Sequence, residues 1–162
     1  MKHTILLIDD SPTDADLVRR SLSKGPGAPR LIIADDGAEA LRILRETPRG
    51  TALPDLILLD LNMPPHSGFR ILSEIKSDPV LRPIPVVIMT SSQAECDVSN
   101  AYGLLANCYI AKPMDIDGFA DTLRDIETFW FSRAILPSHH YYSEERFSSS
   151  NTKTAPLSAG SQ

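Results

Sequence analysis

Short apolar runs punctuate the chain at Thr4–Ile8, 31–34, Leu56–Leu59, 86–89 and 109–111. They are rich in Ile, Leu and Val and do not alternate with polar residues, which is the pattern of strands covered on both faces. Helical spacing fills the gaps. Residues 12–22 place Ala15, Val18 and Leu22 on one side, and Asp36–Gly37 precedes Ala38, Ala40, Leu41 and Leu44. Gly68 precedes Phe69, Ile71, Leu72 and Ile75, and a weaker helix is predicted over 96–104. The clearest spans 115–131, with Ile116, Phe119, Leu123, Ile126 and Trp130 on one stripe. Strand then helix, five times, predicts an α/β fold, an open parallel sheet with helices on both faces. Right-handed crossovers leave few topologies for it.

The pattern stops at Ser138. The remainder, SHHYYSEERFSSSNTKTAPLSAGSQ, is Ser-rich and without clear period, so a domain over 1–137 and a mostly disordered tail over 138–162 are expected. With 162 residues and 42% apolar content, one domain with a real core is affordable. A formal charge of −5 argues against a general nucleic-acid binder. The two cysteines, Cys96 and Cys108, suggest no disulfide framework, and no zinc spacing accompanies them. The opening MKHTILLIDD has too short an apolar run for a signal peptide, and nothing reaches the roughly 20 apolar residues of a membrane helix. A cytoplasmic location is the expectation.

Sites in open α/β sheets form outside the carboxyl ends of the strands. The first strand ends in Asp9–Asp10, the third in Asp60 with Asn62 after it, and the fourth in Thr90; Lys112–Pro113 follows the fifth. Three carboxylates crowded into one cleft repel each other, and a bound cation is the usual remedy. Hard oxygen ligands favour Mg²⁺. A carboxylate beside Mg²⁺ can act as a nucleophile toward phosphorus. Phosphoryl transfer also needs its equatorial oxygens neutralised, for which Lys112 and the Thr90 hydroxyl are suited.

The motifs IDD at 8–10, LLDLNMP at 58–64 with Gly68, MTSS at 89–92 and YIAKP at 109–113 stand in this order. In that order and spacing the chain resembles the receiver domain of bacterial two-component response regulators, over about residues 3–132. The resemblance implies a flavodoxin-like, doubly wound five-stranded parallel sheet in the order 2-1-3-4-5 with five helices. It implies Asp60 as phosphoacceptor and Asp10 as direct Mg²⁺ ligand. Asp9 would assist through water, and Asn62 would lend its backbone carbonyl. Thr90 and Lys112 would hold phosphoryl oxygens, Tyr109 would be the aromatic switch residue, and Lys112–Pro113 would be cis. One departure is Ser67, where an acid is more usual before the glycine. A looser resemblance, from DLNMP and the ending ETFWFSRAILP, is to single-domain regulators paired with phytochrome-type histidine kinases. It implies a sensor histidine kinase partner, and a bacteriophytochrome among these.

Simpler roles compete with these. Asp9–Asp10 alone could cap the next helix. Asp35–Asp36 is the same dipeptide, but Gly37 and a helix follow and no partner set converges on it, so it reads as a turn and cap. His3, His66, His139 and His140 have no ligand spacing and read as surface residues. Phe129 and Phe131 flank Trp130 and cannot all face inward, and with Ile135 and Leu136 they predict an exposed apolar patch. A homodimer through the last helix is expected from it.

Two rival functions would require different residues. An aspartyl phosphatase on the same architecture would carry Asp-x-Asp, where this chain has Asp60-Leu-Asn62. A non-phosphorylated receiver-like interaction module would normally have lost Asp10, Asp60, Thr90 or Lys112, and all are present. The sequence thus predicts a stand-alone phosphoacceptor that catalyses only its own phosphorylation and dephosphorylation and signals through protein partners.

Overall fold

The computed structural model describes residues 2–47, 52–65 and 67–137. The expected tail, with His139 and His140, and also His66 lie outside the described residues. Five strands alternate with five helices: β1 Thr4–Ile8, α1 Pro12–Ser21, β2 Arg30–Ala34, α2 Gly37–Glu46, β3 Leu56–Leu59, α3 Gly68–Ser77, β4 Val86–Thr90, α4 Glu95–Gly103, β5 Cys108–Ala111 and α5 Ile116–Thr128. The strands form one sheet in the order β2-β1-β3-β4-β5, and every pairing is parallel. The predicted topology is the observed one.

Side chains alternate across a strand, so each central strand feeds two cores. Leu6, Ile8, Ile57, Leu59 and Ile88 pack with Leu41 and Leu44 of α2 and Ile71, Leu72 and Ile75 of α3. Ile5, Leu7, Leu56, Leu58 and Val87 pack with Ala15 and Val18 of α1 and Phe119, Leu123 and Ile126 of α5. Strands β3 and β4 are buried throughout. The edge strands are not: β2 is buried only at Ala34, and β5 is half-buried along its length. An apolar run does not distinguish edge from centre, because the edge strand still sits under helices while one flank lacks a neighbour.

The last helix departs from its expected single span. Helix α5 gives way at Phe129–Arg133 to a π-helical turn, in which the Ala134 N–H donates to the Phe129 carbonyl at 2.8 Å. Adjacent residues on a regular helix face different directions, yet here Trp130 and Phe131 both lean on the core beside α1 and α5. Phe131 also stacks on His3, ring centres 4.5 Å apart and planes within 8°. His3 is therefore a packing residue and not a bare surface one. Phe129 meets Trp130 edge-on and remains 55% exposed.

A second correction concerns proline. Among the described residues the cis peptide bond is Pro64–Pro65, and Lys112–Pro113 is trans. The two isomers at an X–Pro bond differ by only about 0.5–1 kcal/mol, so the surrounding chain selects one at each proline.

Candidate functional site

The cleft is assembled by strand register. Strand β1 lies between β2 and β3, so its last residues and those of β3 emerge side by side. The Asp9 N–H donates to the Ala34 carbonyl at 3.1 Å and the Asp60 N–H to the Ile8 carbonyl at 3.0 Å. Both acids thus remain tied to the sheet one step past its strands. Asp9 is 3% exposed and Asp60 6%, while Asp10 is exposed. One carboxylate oxygen from each of Asp9, Asp10 and Asp60 falls within a 4.8 Å group. That hard-oxygen set, open on the Asp10 side, fits a divalent cation that keeps several waters.

Lys112 closes the other side. Its N–H donates to the Thr90 carbonyl at 2.8 Å, which carries the β4–β5 pairing to the cleft. Its Nζ lies 2.8 Å from Asp9 Oδ2, 3.0 Å from Asp60 Oδ2 and 2.7 Å from Asp14 Oδ2. Burial opposes charge on Lys112, but the bonds to Asp14 and Asp9 and the fields of Asp9 and Asp60 outweigh it and hold the amine above the ordinary lysine value. For Asp9 the balance reverses. Burial raises its carboxyl above 3.8 even though Lys112 and the Ser11 N–H, at 2.9 Å, pull it down.

Thr90 is fully buried, and its hydroxyl oxygen accepts from Asn62 Nδ2 at 3.3 Å. The Asn62 N–H in turn donates to Asp60 Oδ1 at 3.1 Å. Asn62 therefore spans the two strand ends that carry Asp60 and Thr90. Tyr109 sits one layer out. Its hydroxyl donates to the Ser92 carbonyl at 3.0 Å, and Ser92 Oγ bonds Asp97 Oδ2 at 2.5 Å in the first turn of α4. The aromatic residue thus reaches the β4–α4 loop that leaves Thr90. Burial keeps its hydroxyl protonated above the usual tyrosine range.

Asp9, Asp10, Asp60, Asn62, Thr90 and Lys112 are brought into one cleft, with Tyr109 beside it. Phe129, Phe131 and Ile135 lie past the far end of α5 and take no part. Asp36 caps α2, accepting from the Glu39 N–H at 2.7 Å. Ser67, in place of the usual acid, caps α3 by accepting from Phe69 N–H at 3.2 Å. Asp14 is the residue the sequence reading missed. It stands in the first turn of the helix that follows β1, the place of an ordinary helix-starting acid, so no signal in the sequence marks it for the cleft.

The response regulator receiver domain model matches residues 5–124 of the chain. Response regulator Rcp1 of Synechocystis sp. is 39% identical over 136 residues, 83% of this chain and 92% of that protein. Two solved structures superpose closely. One is the phosphorylated cyanobacterial phytochrome response regulator RcpA, with 38% identity and a TM-score of 0.80 over 85% of this chain and 100% of that one. The other is the Mn²⁺-bound form of response regulator Rcp1, with 38% identity and a TM-score of 0.77 over 84% and 99%.

Proposed function

The chain belongs to the response regulator receiver domain family, and on that premise we propose that Asp60 is its phosphoacceptor. The observation that carries this is the contact of Lys112 Nζ with Asp60 Oδ2 at 3.0 Å, inside a cleft that holds two further carboxylates. A carboxylate oxygen of Asp60 attacks the phosphorus of a kinase phosphohistidine. The new O–P bond forms as the P–N bond breaks, and the electron pair leaves with the imidazole. Lys112 and the Thr90 hydroxyl donate to the phosphoryl oxygens. Asp9, Asp10, Asp60 and the Asn62 carbonyl would hold a divalent cation, Mg²⁺ in this reading. Bound there, it would neutralise charge on the acid cluster and the phosphoryl group. A Mn²⁺-bound form is known for Rcp1, which supports a divalent site.

The switch follows from the same bonds. A phosphoryl group on Asp60 attracts the Thr90 hydroxyl, which moves the β4–α4 loop. The Tyr109–Ser92 bond passes that change to α4 and β5. The donor is a sensor histidine kinase of the phytochrome type, a reading supported by the phytochrome response regulator RcpA. A homodimer through α5 and the turn after it would cover Phe129 and Ile135, 55% and 99% exposed; Phe131 contributes less, since His3 already covers one face. Among the described residues no helix is long and apolar enough to cross a membrane.

The test is intact-protein mass after incubation with acetyl phosphate, with and without Mg²⁺. A Mg²⁺-dependent gain of one phosphoryl group, absent in Asp60→Asn, is expected. No gain with any donor overturns the reading and leaves a receiver-like interaction module. Sedimentation of Phe129→Ser and Ile135→Ser checks the dimer, with a shift to monomer expected.

A further inference from the structure

We infer that Asp14 is a positioning residue for Lys112, supplying the one carboxylate contact that its ammonium keeps when a cation takes up the charge of Asp9 and Asp60. The inference rests on the proposed phosphoacceptor reading and adds to it a residue outside the acid triad.

Asp14 stands at the third position of α1, where an acid ordinarily turns back to the N–H of the capping residue. Here Ser11 caps the helix, its Oγ accepting from the Asp14 N–H at 3.2 Å. The return bond is not made by Asp14. The Ser11 N–H is taken by Asp9 Oδ1 at 2.9 Å. The Asp14 carboxylate is instead directed across the cleft to Lys112, at 2.7 Å the shortest of the three contacts to Nζ. Capping alone does not account for a bond to a residue beyond β5.

An ammonium group has three N–H donors, and Asp9, Asp14 and Asp60 engage Lys112 Nζ together. Two of these acceptors change during the proposed cycle. Asp60 becomes an acyl phosphate, and Asp9 shares its charge with the cation. Asp14 is outside the group of Asp9, Asp10 and Asp60 oxygens, so its bond to Lys112 persists while the other two exchange. Without it, Lys112 rests on the two acids the cation also needs.

The test is a double-mutant cycle read by divalent-cation affinity, with Mg²⁺ and Mn²⁺ titrated calorimetrically into wild type, Asp14→Asn, Lys112→Met and the double variant. Asp14→Asn is expected to weaken binding roughly tenfold, a size typical of coupling within one ion-pair network. In the Lys112→Met background the same change should have an effect near twofold or less. Asp16→Asn, on the same helix and paired with Arg20, controls for net charge. Phosphorylation of Asp14→Asn should be slow at low Mg²⁺ and recover at saturation. Unchanged affinity in Asp14→Asn overturns the inference, as does an equal loss with and without Lys112, since Asp14 would then act directly on the cation. If wild type itself binds no divalent cation, the phosphoacceptor reading falls and the inference with it. Phosphorylation on Asp60 without coupling refutes the inference alone.

Discussion

Gly68 packs directly against the backbone of Asp60. A Cβ at Gly68 would intrude on the Asp60 carbonyl oxygen and lie 2.6 Å from Leu61 Cα. The Gly68 N–H donates to the Leu61 carbonyl at 3.0 Å, so the start of α3 is clamped to the segment that carries Asp60, the proposed phosphoacceptor. Both obstructing groups are backbone and have no rotamer to give. Gly68→Ala should therefore cost about 2–3 kcal/mol, in the range of overpacking, and slow phosphorylation of Asp60 roughly tenfold or more by displacing it. Denaturant unfolding and the acetyl phosphate time course measure the two effects. Gly103→Ala is the control, since nothing lies within 4 Å of its added methyl.

A leucine occupies a position that favours glycine. Leu105 has φ 69° and follows α4 in a six-residue closing motif. The Leu105 N–H donates to Tyr102 O at 2.9 Å and the Ala106 N–H to Ala101 O at 3.0 Å, the pattern that usually carries Gly at the left-handed residue. Its side chain is 59% exposed, so little packing is lost on removing it. Leu105→Gly should stabilise the protein by about 1 kcal/mol, seen as a higher thermal midpoint. A lower one would mean that Leu105 packs more tightly than its exposure indicates.

The sheet and the cleft were legible in the sequence because both are local facts repeated. Each central strand is an uninterrupted apolar run, and Asp9, Asp10, Asp60, Asn62, Thr90 and Lys112 each stand at or just past a run's end. Asp14 was not legible as a Lys112 partner, because nothing local separates a first-turn acid that caps from one that reaches across a cleft. The half-exposure of β5 escaped for a similar reason: Cys108–Ala111 has the composition of a buried strand. The aromatic ending was half legible. Regular helical spacing cannot turn Trp130 and Phe131 inward together, and only the π-helical turn, with His3 to stack against, lets it happen.

Lys76 gives the protein a signature at alkaline pH. It is only 7% exposed and donates to the carbonyls of Arg82 and Ile84 and to Asn107 Oδ1 at 2.8–3.0 Å, with no carboxylate among these partners. Burial lowers its amine from 10.5 to about 8. A depressed lysine binds fewer protons folded than unfolded between these values, so stability rises with pH from about 8 to 10.5. Below that window the cost of the buried charge is fully present. Lys76→Met should remove this rise, so that the stability difference between wild type and variant grows in favour of wild type across the window. Urea midpoints at several alkaline pH values measure it. Parallel curves would mean that the three acceptors fully compensate the burial of the charge.

The stability of the fold should depend more on Lys112 when the cleft is free of cation than when a cation is bound. Lys112→Met keeps the stem and removes the charge that Asp9, Asp14 and Asp60 share. The Lys112 side chain is 11% exposed and that of Asp9 2%, so the abandoned carboxylates are poorly screened, and a cost of about 3 kcal/mol at neutral pH is expected. Acid should relieve it. Burial already holds Asp9 above 3.8 against the pull of Lys112, and without the amine its carboxyl rises further. A carboxyl raised in the folded state binds more protons folded than unfolded, so its stability deficit accumulates as pH rises from the unfolded value to the folded one, is complete above that and is absent below the unfolded value. The gap between wild type and Lys112→Met should shrink as pH falls through the carboxyl's folded value toward 3.8. Mg²⁺ at neutral pH should narrow it in the same way, by putting positive charge back among Asp9, Asp10 and Asp60. A gap that ignores both acid and Mg²⁺ would show that the loss does not arise from uncompensated charge on these carboxylates.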